Sequence, residues 1–260
     1  MKAIRILLIS LFILFVAVAC TQNKELVWSD EFNYTGLPDS TKWNYAIGGH
    51  GWGNQELQYY TENRPQNARV EEGNLIIEAR FEKTEGMDFS SARLTTKNKG
   101  DWTFGRVEVR AKLPSGTGVW PAIWMFFSEH TYGGWPESGE IDIMEYVGYQ
   151  PDTIHGTIHT GAYNHPQNTQ RGGEIQVPTA EEEFHTYAVD WQEDRIDFFV
   201  DDNRYFSFEK ESDDPAVWPF DHDFYLIMNI AVGGTWGGQE GVDTTIFPQQ
   251  LVVDYVRVYQ

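Results

Sequence analysis

Polar and apolar residues alternate along most of the chain beyond Leu26, while a 3.6-residue period is almost absent. The segment Phe104 to Leu113 is the clearest case. Val107, Val109 and Ala111 share one face, and Arg106, Glu108, Arg110 and Lys112 share the other. Leu75 to Phe81 reads as a mostly buried strand. Phe184 to Trp191, Arg195 to Val200, Phe224 to Val232 and Leu251 to Tyr259 are further strand candidates. Turn chemistry joins them at Glu71–Asn74, Gln192–Asp194 and Asp201–Asn203. No linker, repeat or low-complexity block interrupts the pattern. About a dozen short strands in one uninterrupted stretch predict an all-β domain, two antiparallel sheets stacked as a sandwich or jelly roll. The acid clusters Glu181–Glu183 and Asp213–Asp214 are expected in solvated loops.

Composition narrows the ligand. The 260 residues include 10 Trp, 13 Tyr and 16 Phe, and carry a formal net charge of −20. So acidic a surface repels phosphate backbones and anionic headgroups, which excludes nucleic acid as a partner and weighs against sulfated polymers. A neutral ring that stacks on aromatic faces suits these residues better. With 41% hydrophobic residues, disorder is excluded.

Residues 1–19 read as an export signal. Lys2 and Arg5 form its positive end, and Ile6 to Val18 is apolar apart from Ser10. Ala17 and Ala19 precede Cys20, the chain's single cysteine. This arrangement resembles a bacterial lipoprotein signal, although Ala17 stands where that pattern favours Leu. The resemblance implies lipidation at Cys20, a short tether over residues 20–25, and a membrane-anchored domain over 26–260, periplasmic or at the cell surface. With Cys20 so used, no disulfide can form inside the domain.

Chemistry concentrates in Trp135–Gly148. Glu140 and Asp142 alternate with Ile141 and Ile143, so the two carboxylates share a strand face. Period-two parity would turn Glu145 into the core, an expensive place for a charge. One extra residue bulged near Ile143–Met144 returns it to the face of the other two. Three crowded acids raise one another's pKa, at a cost to stability. Paired carboxylates suit glycoside hydrolysis, in which a retaining enzyme holds nucleophile and acid/base about 5–5.5 Å apart.

Gly139-Glu-Ile-Asp-Ile-Met-Glu145 resembles the active-site strand of glycoside hydrolase family 16, in its bulged E-x-D-x-x-E form. Trp28–Phe32, Gly51–Thr61, Val119–Met125 and Val253–Tyr259 agree with the laminarinase-like branch, in order along nearly the whole mature chain. The resemblance implies a curved jelly roll whose concave face holds the substrate cleft. It makes Glu140 the nucleophile, Glu145 the acid/base and Asp142 the group between them, with retention of anomeric configuration. It places Trp124 and Trp135 in the cleft and leaves Trp120 between cleft and core. Asn54, Arg93 and Trp236 fall in stretches that resemble its lining.

His155 and His159 have the H-x3-H spacing of a metal pair. Their strand-like context sets them about 13 Å apart, too far to share zinc. The resemblance assigns His159 to the cleft. It also implies a structural Ca2+ held by Glu31, the Gly73 carbonyl and Asp254, with no cofactor for catalysis. The expectation is a monomeric endo-acting β-1,3-glucanase acting on laminarin-type and mixed-linkage glucan. Agarase, carrageenase or xyloglucan-active specificity is the alternative within the family, and a non-catalytic glucan-binding protein the alternative outside enzymes.

Overall fold

In the computed structural model, residues 24–260 are described. The signal and Cys20 therefore lie outside the described residues. Alternation along the chain resolves into two stacked sheets. In the larger, Asn203–Glu209, Arg195–Val200, His185–Trp191, Gly105–Lys112, Gln249–Tyr259, Asn74–Thr84, Met87–Ser91 and Gln58–Tyr60 lie side by side, with Leu26–Asp30 and Ala68–Glu71 paired at its margins. The smaller runs Arg171–Gln176, Thr153–His159, Glu140–Glu145, Val119–Phe127, Phe224–Val232, Arg93–Thr95 and Asn44–Tyr45, and Asp101–Trp102 joins Phe224–Val232. Pairing is antiparallel except between Gln58–Tyr60 and Met87–Ser91. Among the described residues no helix is long and apolar enough to cross a membrane.

The alternation expected for Phe104–Leu113 holds in the strand Gly105–Lys112. Val107, Val109 and Ala111 are buried between the sheets, and the charged partners face outward. The facing sheet contributes Ile123, Met125, Ile141, Ile158, Met228 and Ile230 to the same core. Phe224–Val232 is buried at every position, because the core covers one of its faces and the aromatic groups of the cleft shelter the other. The Glu71–Asn74 hairpin turns through Glu72 and Gly73, both at positive φ (51° and 78°), the two-residue geometry that matches strand twist. Of the acid clusters, Asp213 and Asp214 are exposed as expected. Glu181 departs from that expectation: it is partly buried and accepts a hydrogen bond from the Tyr146 hydroxyl.

Register sets Glu31, Gly73 and Asp254 in adjoining segments, since Asp30 pairs with Val256 and Leu75 with Val253. The side chains, however, are engaged by arginines. Arg257 donates from Nε and Nη2 to the two oxygens of Glu31 at 2.9 and 2.8 Å, which holds that carboxyl below its usual range. Asp254 accepts from Arg110.

Candidate active site

The outward residues of four neighbouring strands form the floor of a cleft of about 810 Å3. Trp120, Ala122, Trp124 and Phe126 come from one strand, and Glu140, Asp142 and Glu145 from the next. His155, Thr157 and His159 follow, and Asn229 and Ala231 close the opposite side.

Glu145 reaches this face through the expected bulge. Trp124 pairs with Asp142, Ile123 with Met144 and Ala122 with Glu145, so Ile143 has no partner of its own. On the other edge Asp142 faces Thr157 while Glu145 faces His155. Two residue steps there span three on the acidic strand. Ile143 and Met144 are both buried, and the three acids stay together in the cleft.

Glu140 and Glu145 each have a histidine directly opposite, His159 and His155 respectively. His159 Nε2 lies 3.3 Å from Asp142 Oδ2 and 3.8 Å from Glu140 Oε1. Glu140, Asp142 and His159 thus gather one ligand atom each within 4.8 Å, a set able to hold a metal ion. His155 instead packs edge-on against Trp236 at 5.1 Å. Gly156 between them faces inward, where a Cβ would stand 2.7 Å from the Phe198 ring and against the Tyr205 hydroxyl.

Electrostatics sets the three acids apart from surface carboxylates. Burial pushes Glu145 up to about 8, and the negative charge of Asp142 adds to it. His159 and a hydrogen bond from Trp120 Nε1 to Glu145 Oε1 (3.1 Å) pull the other way. Burial also raises Glu140, with Asp142 reinforcing and His159 opposing. Asp142, only 4% exposed, is raised by burial. Glu145, so raised, keeps its proton at neutral pH and can donate it.

All six residues expected to bind substrate line the cleft: Asn54, Arg93, Trp124, Trp135, His159 and Trp236. The Arg93 guanidinium is sandwiched between the Trp52 and Trp124 rings, 4.6 Å from each centroid. Trp135 stacks obliquely on His165 and His159, at 5.1 and 5.9 Å. Trp236 packs edge-on against Trp120. Trp120 belongs to the cleft, since it touches Glu145.

Sequence reasoning missed Glu56, Asn229 and His165. Glu56 is buried in the cleft wall, accepting from Gln58 Nε2 (2.6 Å), the Tyr60 hydroxyl (3.2 Å) and Asn54 Nδ2 (3.3 Å). Tyr60 in turn accepts from Asn229 Nδ2 at 3.1 Å, and Asn229 Oδ1 accepts from Trp124 Nε1 at 2.9 Å. One signal existed for Asn229: it is the single strongly polar residue in the apolar run Phe224–Val232.

The sequence profile for "Glycosyl hydrolases family 16" matches residues 54–257, a span that contains every residue of the acidic strand. The chain belongs to that family. It is 59% identical to a beta-glucanase of Rhodothermus marinus over 96% of this chain and 93% of that one. Among solved structures it resembles the laminarinase from Rhodothermus marinus, with a TM-score of 0.90 and 62% identity, covering 91% of this chain and 97% of that chain. SCLam, a non-specific endo-beta-1,3(4)-glucanase of the same family, superposes with a TM-score of 0.88 at 50% identity, over 92% of both chains. The family fold is the jelly roll expected from the sequence.

Proposed function

We propose that this member of family 16 is an endo-acting, retaining β-1,3-glucanase that cleaves laminarin-type glucan and also mixed-linkage β-1,3-1,4-glucan. The observation that carries the reading is the bulged strand, which brings Glu140, Asp142 and Glu145 to one wall of a cleft faced with indoles. The names of the similar proteins supply the linkage.

In this reading sugar rings lie on Trp124, Trp135 and Trp236, whose faces match their axial C–H groups. Arg93, fixed between two indoles, and Asn54, held by Glu56, offer hydrogen bonds to ring hydroxyls. Glu140 attacks the anomeric carbon as a carboxylate and forms a glycosyl-enzyme ester. Glu145, protonated at neutral pH, gives its proton to the departing glycosidic oxygen. It then takes one from the water that opens the ester, which restores the starting configuration. Asp142 exchanges charge with both glutamates, and the group titrates as a unit.

Three further proposals complete the account. Cys20 carries the lipid and the domain works at a membrane surface, which the sequence features of residues 1–20 support. The domain is a monomer, in keeping with its strongly acidic surface. A Ca2+ between Glu31, the Gly73 carbonyl and Asp254 is supported by the register of their segments, and it must displace Arg257 and Arg110 from the two acids. The central test is reducing-end release from laminarin by residues 21–260 beside a Glu140→Ala control. Activity lost only in the control supports the reading, and a folded but inert wild type overturns it.

A further inference from the structure

The acidic cleft holds one buried oxygen that the hydrolytic roles leave without a partner. Asp142 Oδ2 is buried and has no hydrogen-bond partner, on a residue 4% exposed. Leaving such an oxygen unpaired is costly, because its desolvation is not repaid. It points at Nε2 of His159, which is itself only 6% exposed. Glu140 Oε1 completes the triangle, 3.8 Å from the same nitrogen.

These spacings are those of ligands around a small cation. Oxygen and nitrogen donors about 2.0–2.2 Å from a tetrahedral ion stand roughly 3.4 Å apart from each other. The 3.3 Å and 3.8 Å separations from His159 need adjust by only a few tenths of an ångström, and the two carboxylates, within 4.8 Å of each other, draw together on the ion by side-chain rotation. The strands hold the three groups in place, since Glu140 pairs with His159 and Asp142 with Thr157 across one ladder. Imidazole with two carboxylates selects a borderline transition metal over Ca2+ or Mg2+, which want more oxygen ligands. All three residues line the open cleft, which gives an ion a path in. A net charge of −20 raises the concentration of cations around it.

We propose that Glu140, Asp142 and His159 form an inhibitory site for Zn2+ or Cu2+, which excludes glucan by capturing the carboxylate that must attack it. Glu140 Oε1 and Asp142 Oδ2 coordinate as carboxylates and His159 through Nε2, its proton on Nδ1. Binding of the ion is independent of the glucanase reading; competition with glucan rests on it. The site differs from the H-x3-H pairing considered from sequence, because only the second histidine takes part.

Isothermal titration of the tag-free protein with ZnCl2 tests the binding, with CaCl2 as the comparison. One Zn2+ per chain is expected at the cleft, and any uptake of Ca2+, being at the Glu31–Asp254 site, should be unchanged in His159→Gln. His159→Gln and the near-isosteric Asp142→Asn, each checked for native circular dichroism, should each weaken Zn2+ binding at least tenfold. With laminarin as substrate, Zn2+ should raise KM without lowering kcat, and EDTA should reverse the effect. Unchanged Zn2+ affinity in both folded variants overturns the proposal whether or not laminarin is hydrolysed. Zn2+ that lowers kcat at constant KM overturns the competitive role.

Discussion

Trp120 and Glu145 meet across adjoining strands, the indole Nε1 donating to the carboxyl Oε1 at 3.1 Å. This hydrogen bond favours the charged carboxylate, whereas burial and the neighbouring Asp142 favour the neutral acid. Burial wins, so the group expected to donate a proton retains it up to about pH 8. Replacing the indole with Trp120→Phe removes the opposing interaction. The basic limb of the kcat/KM profile for laminarin should then move upward by about one unit, the size of one hydrogen bond to a charge. A profile that stays in place would show that Trp120 does not act on Glu145.

Asp142→Asn removes the charge that raises both glutamates. Both limbs of the same profile should shift to lower pH, by about one unit. Turnover should also fall, because Glu145 then loses its proton nearer neutrality. A shift of the limbs in opposite directions would contradict the coupling.

The same burial makes stability depend on pH. Glu145 is raised from an ordinary value of 4.5 to about 8 in the folded chain. Folding therefore takes up a proton between those limits, and this contribution to stability is full below about 4.5 and lost as pH rises through about 8. Glu145→Gln, which never charges, should melt several degrees higher than wild type at pH 9 and gain little at pH 5. Each kcal/mol moves Tm by about 2–4 °C in a domain of this size. Calorimetric scans at the two pH values decide it.

Trp124 is oriented from a distance. Its indole donates to Asn229, which donates to Tyr60, which donates to the buried Glu56. Asn229→Ala leaves the acidic strand untouched while freeing the platform. KM for laminarin should rise about tenfold, equivalent to some 1.4 kcal/mol, with kcat within twofold. A fall in kcat at constant KM would place the effect on the chemical step instead.

Calcium has its own readout. Adding CaCl2 to chelator-treated protein should raise Tm by several degrees if Glu31 and Asp254 take the ion, and Glu31→Gln should abolish the increase. An identical response in the variant would place the ion elsewhere.

Much of this architecture was legible in the sequence. The strand Gly105–Lys112 has one face on the core and the other toward solvent, so alternation marks it. The bulge was legible because an unpaired Glu145 in the core would be too costly, which left few places for the chain to go. Strands of two or three residues, such as Asn44–Tyr45 and Asp101–Trp102, carry too few positions for any period to register. Glu56 was hidden for another reason. A buried acid reads like a surface acid, although its donors Asn54, Gln58 and Tyr60 stand at alternate positions within four residues of it, a polar row that carried the signal. Arg257 and Arg110 were hidden, since nothing local ties them to Glu31 and Asp254.

The roles of Glu140 and Glu145 make one claim that a single measurement reaches directly. Proton NMR of the first products released from laminarin reports their anomeric configuration before mutarotation scrambles it. Nucleophilic attack by Glu140 followed by water activated at Glu145 yields the β-anomer first, with the α-anomer appearing only later. Initial release of the α-anomer would mean inversion, with no ester at Glu140, and would contradict the account.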